Sequence, residues 1–480
     1  MVFSSLLFVY AFLAPQLILY FLVKKTNARN IILLVFSLIF YSWGGPRYLI
    51  LLVGESFISW FCAREIGKTE FDSMKKRYLI LECVSLFGLL LVFKYTGFLL
   101  GNIKALIGWP EIVPEIVLPI GISFYTFQLV SYVVDVYRGD VEAQPRYWKV
   151  LLYSSLFHQC IAGPIVRYKT VAQEIEQRSV SGKDVAEGIR RFSIGLAKKA
   201  ILANGCAAVA DQLLPMTQPE LAAVSTGSMW LGMLCYMLQI YLDFSAYSDM
   251  AIGMGRMVGF HYLENFDYPY SAWSVQGFWR RWHISLSTFF RDYVYIPLGG
   301  NRKGMGRTIF NMFAVWFLTG MWHGASWNYI FWGLYYFVFL VLERLFLGKL
   351  LDKNGVTRAI GHVYTLLVVY FGWVLFKFTD PAALGEVFKG LFGIGHPLKS
   401  IETGSAIVNN LYFLIISILA VFPLGREIRN YVKKVAIRDH EDRLLTLVYA
   451  VDAVIPVILL ILSTLALIGN SYNPFLYFQF

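Results

Sequence analysis

The chain is a near-continuous series of apolar segments, and this constrains its fold more than any other feature. A helix needs roughly 20 apolar residues to cross the hydrocarbon of a bilayer. Candidate segments lie at 2–23, 31–43, 47–63, 78–101, 116–137, 148–166, 190–214, 226–247, 307–322, 326–347, 360–378, 406–424 and 445–468. Several are short or broken by Gly and Pro, so about eleven true spans are expected. Segment 148–166 contains His158-Gln159 and then Gly163-Pro164. Irregular backbone at depth must be covered by protein, so a re-entrant piece is expected there. The expected class is all-α, a single polytopic membrane domain over residues 1–480.

Composition agrees. Charged residues make up 15% of the 480 and hydrophobic ones 57%, against about 25% charge in a soluble domain. The formal charge of +11 would suggest nucleic acid on a soluble protein. Here the basic residues sit between apolar segments, the pattern of cytoplasmic loops meeting anionic lipid headgroups. Membrane lipids are the expected partners and nucleic acid is not. Lys24, Lys25 and Arg29 form one basic loop, and Arg64, Lys68, Lys75, Lys76 and Arg77 the next. Both are cytoplasmic if 31–63 is a hairpin turning at Gly44-Gly45-Pro46, which places the N-terminus outside. Val2 to Val23 lacks a basic n-region and reads as a first transmembrane helix. Arg426 to Arg443 can form an amphipathic helix on the headgroups. The five cysteines lie in apolar stretches with no CxxC pair, so neither a disulfide framework nor a metal site is expected.

The chemistry concentrates between Gln239 and Gly333. Asp243, Tyr247 and Asp249 end an apolar segment. Carboxylates there face protein or water, and acceptors for neighbouring helices are the expected role, ahead of direct catalysis. Next comes the stretch from Trp273 to Asp292. Read as one helix, it puts Arg280, His283, Ser287 and Arg291 on one face, at i, i+3, i+7 and i+11. Trp279, Trp282, Leu286 and Phe289 form a neighbouring apolar face. Such a cationic stripe suits a phosphate-bearing ligand or a helix lying on anionic lipid; spacing does not separate the two. An apolar helix from Arg307 then runs into Trp322-His323-Gly324, and another span follows at once. A lone histidine on an apolar face is ordinarily structural. Ionisable groups within a bilayer, however, are rare and mark sites. There is no GxSxG, Cys–His pair or HExxH. His323 therefore reads as a base that activates a nucleophile from elsewhere.

Two stretches, WRRWHISLSTFFRDYVYIPLGG (279–300) and WHGASWNYIFWG (322–333), set His283 and His323 40 residues apart. Together they resemble the membrane-bound O-acyltransferases. The closer similarity is to the bacterial branch: alginate, cellulose and peptidoglycan O-acetyltransferases and the D-alanyl transfer protein of teichoic acids. LPIGISFYTFQLVSYVVDVYRG (118–139), IAGPIVR (161–167), YLDFSAYSDMAIG (241–253) and NPFLYFQF (473–480) match as well, with a signature core over about 118–333. The resemblance implies a ring of tilted helices around a funnel. It implies an essential His323 with His283 in support. It also implies a cytoplasmic donor, acetyl-CoA for polysaccharide acetylation, with no bound cofactor. The acceptor would be an extracellular polymer, served by an SGNH-type acetyltransferase or a small membrane partner, at the bacterial plasma membrane. Donor contacts are expected from Arg280, Arg281, Trp282 and Ser287, and polar support from Asp243, Tyr247, Asp249, Asp292, Trp322 and Asn328. Some alginate enzymes carry a histidine where this chain has Gln159, one residue after His158, which leaves a third functional histidine open.

The expected function is acetyl transfer to a polysaccharide hydroxyl, with His323 as base and His283 stabilising the carbonyl oxygen. D-alanyl transfer from a carrier-protein thioester is the rival within the same chemistry. A lipid or sugar transporter would require internal repeats, and none is evident. A scaffold that only anchors a partner is the remaining alternative, and loss of function on changing His323 would separate it from an enzyme.

Overall fold

The computed structural model describes residues 1–109, 112–114, 116–161, 163–439, 441–468, 475 and 476. Most of the terminal stretch 473–480 therefore lies outside the described residues, as does Ala162. The described chain is helical, with no β-strand, as the all-α expectation required. It divides into two compact units, one of residues 1–192 and 248–264, the other of residues 193–247 and 265–480.

The first unit carries α1 (Ala14–Leu22), α2 (Thr26–Ser42), α3 (Pro46–Lys68), α4 (Asp72–Ile107), α5 (Ile122–Arg138), α6 (Tyr147–Ser155), α7 (Tyr168–Glu176) and most of α8 (Gly182–Ala197). Its helices are stitched by buried polar groups. Thr126 of α5 donates to Glu55 of α3 at 2.9 Å, and Ser59 donates to Glu82 of α4 at 2.6 Å. Arg178 donates to the Tyr20 hydroxyl at 3.1 Å, to the Val258 carbonyl at 2.9 Å and to Asn30 at 2.6 Å. After α6 the backbone is irregular and buried, with His158 and Gln159 fully inside. Irregular covered backbone is what the interrupted segment 148–166 led one to expect.

The second unit holds α9 (Asn204–Leu213), α10 (Gln218–Leu221), most of α11 (Thr226–Met257), α12 (Val275–Trp279), α13 (Ile284–Phe290), α14 (Gly304–His323) and α15 (Trp327–Leu342). It continues through α16 (Gly348–Leu351), α17 (Gly355–Lys377), α18 (Pro381–Leu391), α19 (Ile401–Ala420), α20 (Leu424–Arg438) and α21 (Asp442–Ile468). Its core is aromatic, and some of its buried rings are tied by hydrogen bonds through their polar atoms. Tyr270 donates to the Met237 carbonyl at 2.6 Å, and Trp373 donates to the Tyr270 hydroxyl at 3.2 Å.

Among the described residues, six stretches are long and apolar enough to cross a membrane: Asp72–Ile107, Gly182–Leu213, Trp327–Leu351, Gly355–Lys377, Ile401–Ala420 and Asp442–Ile468. Leu7–Leu22 and Thr26–Ser42 are shorter apolar helices. On α21, Val454, Val457, Ile461 and Leu465 face outward. They recur at helical spacing, so water would meet a continuous apolar stripe where lipid meets a matching surface.

The helix expected over 273–292 is two helices, not one. α12 stops at Trp279, α13 starts at Ile284, and His283 between them is left-handed, with φ +45° and ψ 54°. Trp282 turns inward against Phe278 and Trp373. Burying this large ring outweighs the few backbone bonds that a continuous helix would have kept.

Candidate active site

His323 is the last residue of α14. Gly324 follows in extended conformation and α15 opens three residues later. The turn must be tight because the helices nearly touch. A Cβ on Gly324 would lie 2.3 Å from the Tyr329 ring, and one on Gly320 would lie 2.4 Å from the Tyr329 carbonyl oxygen. A Cβ on Gly333 would likewise meet the Trp316 carbonyl at 2.4 Å. Small residues at both crossings let the backbones approach. The His323 ring is then boxed edge-on by Trp332 at 4.8 Å and Phe376 at 5.3 Å.

His283 is oriented by Asn265. The Asn265 side-chain oxygen accepts from the Ser285 backbone N–H at 3.1 Å and from the Ser285 hydroxyl at 2.8 Å. It stands 3.2 Å from His283 Nδ1. The Asn265 carbonyl also accepts from the Ile284 N–H at 2.9 Å. An amide N–H can only donate, so the Asn265 atom facing Ser285 is its oxygen. Nδ1 must then be the protonated nitrogen of His283. Nε2 keeps its lone pair and, among the described residues, has no hydrogen-bond partner. His283 lies in the connection between α12 and α13, outside the spanning stretches. Burial pushes its pKa down to about 3, so the ring is neutral and a proton acceptor at Nε2. Phe244 packs edge-on at 4.8 Å and holds the plane.

Both histidines line one cavity of about 570 Å³, a size suited to a small-molecule substrate. Trp322 stands between them, its ring 5.8 Å from His283 and 5.0 Å from His323. Ile284, Leu286, Phe290, Met312, Val315, Trp316 and Leu340 give apolar wall; Gln276, Ser287, Thr288, Asn301 and Thr319 add polar groups. Among the described residues, the charged side chains in the lining are Arg280, Arg291 and Arg344, with no carboxylate. Such a cavity attracts anions. Arg291 is held at 2.7 Å by Asp292, which lies outside the lining.

The anticipated site residues therefore separate. Arg280, His283, Ser287 and His323 come together in the cavity. Arg281 instead donates to the Ser271 hydroxyl at 2.8 Å, and Trp282 is core. Asp243 forms a buried ion pair with Lys199 at 2.8 Å and accepts from the Leu476 N–H. Tyr247 packs on Phe475 at 4.4 Å. Asn328 donates to the Leu375 and Phe376 carbonyls at 3.3 and 3.4 Å. Asp249 belongs to the first unit, where it pairs with Arg191 at 2.7 Å. His158 and Gln159 lie in that unit too, beside the Tyr262 hydroxyl and the Tyr153 carbonyl.

Sequence reasoning did not single out Asn265, Glu343 or Arg344. Both Glu343 oxygens accept from the α12 N-terminus, at 2.6 Å from Val275 N and 2.8 Å from Gln276 N. A carboxylate there also complements the helix dipole. A signal was present for two of the three: Glu343-Arg344 is a charged pair ending the long apolar run from Trp327. Nothing local marks Asn265.

The profile of the membrane-bound O-acyltransferase family matches residues 141–380. A probable alginate O-acetylase of Pseudomonas putida is 37% identical over the whole of both chains. A peptidoglycan O-acetyltransferase of Helicobacter pylori is 32% identical over 82% of this chain and 80% of its own. A teichoic acid D-alanyltransferase of Bacillus subtilis is 28% identical over 54% of this chain and 68% of its own.

Proposed function

The chain belongs to the membrane-bound O-acyltransferase family, and from that premise we propose that it acetylates hydroxyls of an extracellular or cell-wall polysaccharide, using acetyl-CoA taken from the cytoplasm. Membership makes it a multi-pass membrane acyltransferase and sets aside the transporter and scaffold readings. Full-length similarity to a probable alginate O-acetylase favours acetyl transfer; the D-alanyltransferase matches only about half of this chain.

The observation that carries the reading is the shared cavity of His283 and His323. In the proposed reaction the acceptor oxygen attacks the thioester carbonyl. The new C–O bond forms as C–S breaks, and the hydroxyl proton passes through imidazole to the departing thiolate. His323 serves as the base. His283, with its lone pair at Nε2, orients the hydroxyl or takes part in the relay. Donation to the developing oxyanion would need the opposite tautomer of His283. Arg280 and Ser287 are the retained donor contacts. An extracytoplasmic SGNH-type acetyltransferase or a small membrane protein is the proposed partner, and the bacterial plasma membrane the proposed site. The proposed architecture is about eleven spans around a funnel; the six long apolar stretches and the two shorter apolar helices among the described residues supply eight of them.

Histidine 323 to alanine, His323→Ala, is the direct test. Acetyl ester on the polymer should fall at least about 100-fold with normal protein in the membrane. Unchanged acetylation would refute the reading. Labelled acetyl-CoA and a D-alanyl carrier thioester, supplied in parallel, distinguish the two donors.

A further inference from the structure

Arg280 and Arg344 reach the histidine cavity from different elements. Arg280 caps α12, and Arg344 follows α15 at the start of the π-helical turn Glu343–Leu347. Both side chains are exposed. Among the described residues neither guanidinium makes a hydrogen bond or ion pair, whereas Arg291 is neutralised by Asp292. The nearest acid in sequence, Glu343, is occupied by the Val275 and Gln276 N–H groups. That contact also fixes the two arginines to each other. Glu343 is the residue before Arg344, and it grips the helix whose last turn carries Arg280.

From this arrangement we infer that Arg280 and Arg344 form a phosphate clamp for the donor, with Glu343 as the brace that sets its span. The inference rests on the proposed donor being acetyl-CoA and adds which part of it is recognised. Guanidinium suits phosphate because its planar fork gives paired N–H bonds to two oxygens, and it stays charged at any working pH. Two unneutralised guanidiniums on a cavity with no carboxylate attract a multiply charged ester more than a neutral thioester. The phosphates then sit at the rim and the acyl end points toward His283 and His323. A carboxylate on an acidic acceptor has related chemistry, so the test must separate the two sources.

The test uses full-length protein in nanodiscs, with coenzyme A and phosphate-free pantetheine as binding probes. Wild type should bind coenzyme A more tightly than pantetheine. Arg344→Gln and Arg280→Gln should each cut that preference about 10- to 100-fold, the size of one lost charge-assisted contact. Pantetheine affinity should hold, and Arg344→Lys should restore part of the difference. KM for acetyl-CoA should rise more in Arg344→Gln than KM for S-acetyl-N-acetylcysteamine, which carries no phosphate. An unchanged coenzyme A preference in both variants would overturn the clamp and leave the donor reading standing. Equal losses with both thioesters, with a raised acceptor KM, would overturn it in favour of the acceptor. Wild type binding neither probe would overturn the donor reading beneath it as well.

Discussion

His283 joins backbone geometry and chemistry in one residue. Left-handed φ is uncommon outside glycine, and Asn and His are among the residues that tolerate it. A β-branched side chain there is strained by about 1–2 kcal/mol. His283→Asn should therefore keep the fold and lose transfer, while His283→Val should lower melting temperature as well. Thermal melting and acetyl release on the same preparations would check both. The ring also gives stability an acid limb. Its folded pKa is depressed to about 3 from the ordinary 6.5, so between those values the unfolded chain binds the proton and the folded chain does not. Stability contributed at neutral pH is lost as pH falls below about 6.5. His283→Asn should flatten that decline, and an unaltered pH profile of melting would contradict the buried neutral ring.

At the scale of elements, the site depends on how closely α14 and α15 cross. Gly320 and Gly333 put backbone against backbone, with no room for a side chain. Gly320→Val should force the helices apart at a cost of about 1–3 kcal/mol and displace His323, three residues on. A variant with wild-type melting and full transfer would show that the crossing tolerates separation. The connection between α12 and α13 follows the opposite logic. Helical periodicity correctly put Arg280, His283, Ser287 and Arg291 beside one another, and all four line the cavity. They reach it from two short helices and a left-handed link, because Trp282 between them is drawn into the core.

At the scale of the molecule, outward-facing apolar residues on α21 and the six long apolar stretches demand lipid. The proposed orientation follows the lysines and arginines. A phosphatase reporter fused after Lys76 should be inactive, and one fused after Gly108, at the far end of α4, should be active. The reverse pattern would place the N-terminus in the cytoplasm. The basic stretch near the C-terminus combines a surface helix with a tertiary contact. Residues 426–443 suggested a helix lying on headgroups, and α20 does form at Leu424–Arg438. Its Arg429 pairs with Asp452 of α21 at 2.8 Å, a contact that joins the two helices.

The sequence by itself determined the solvent, the helical class, the family resemblance and the pair of histidines. These depend on composition, segment length and motif spacing, which are local or periodic. Tertiary structure decided which groups face the chemistry. Arg281 and Trp282 are adjacent to Arg280 and His283 in sequence, yet they turn to Ser271 and to the aromatic core. Asn265, 18 residues before His283, selects its tautomer. Arg344 enters from the end of another helix. A side chain's direction at a helix break is set by the caps and by what packs against it. Those partners are distant in the chain, so no window of sequence contains them.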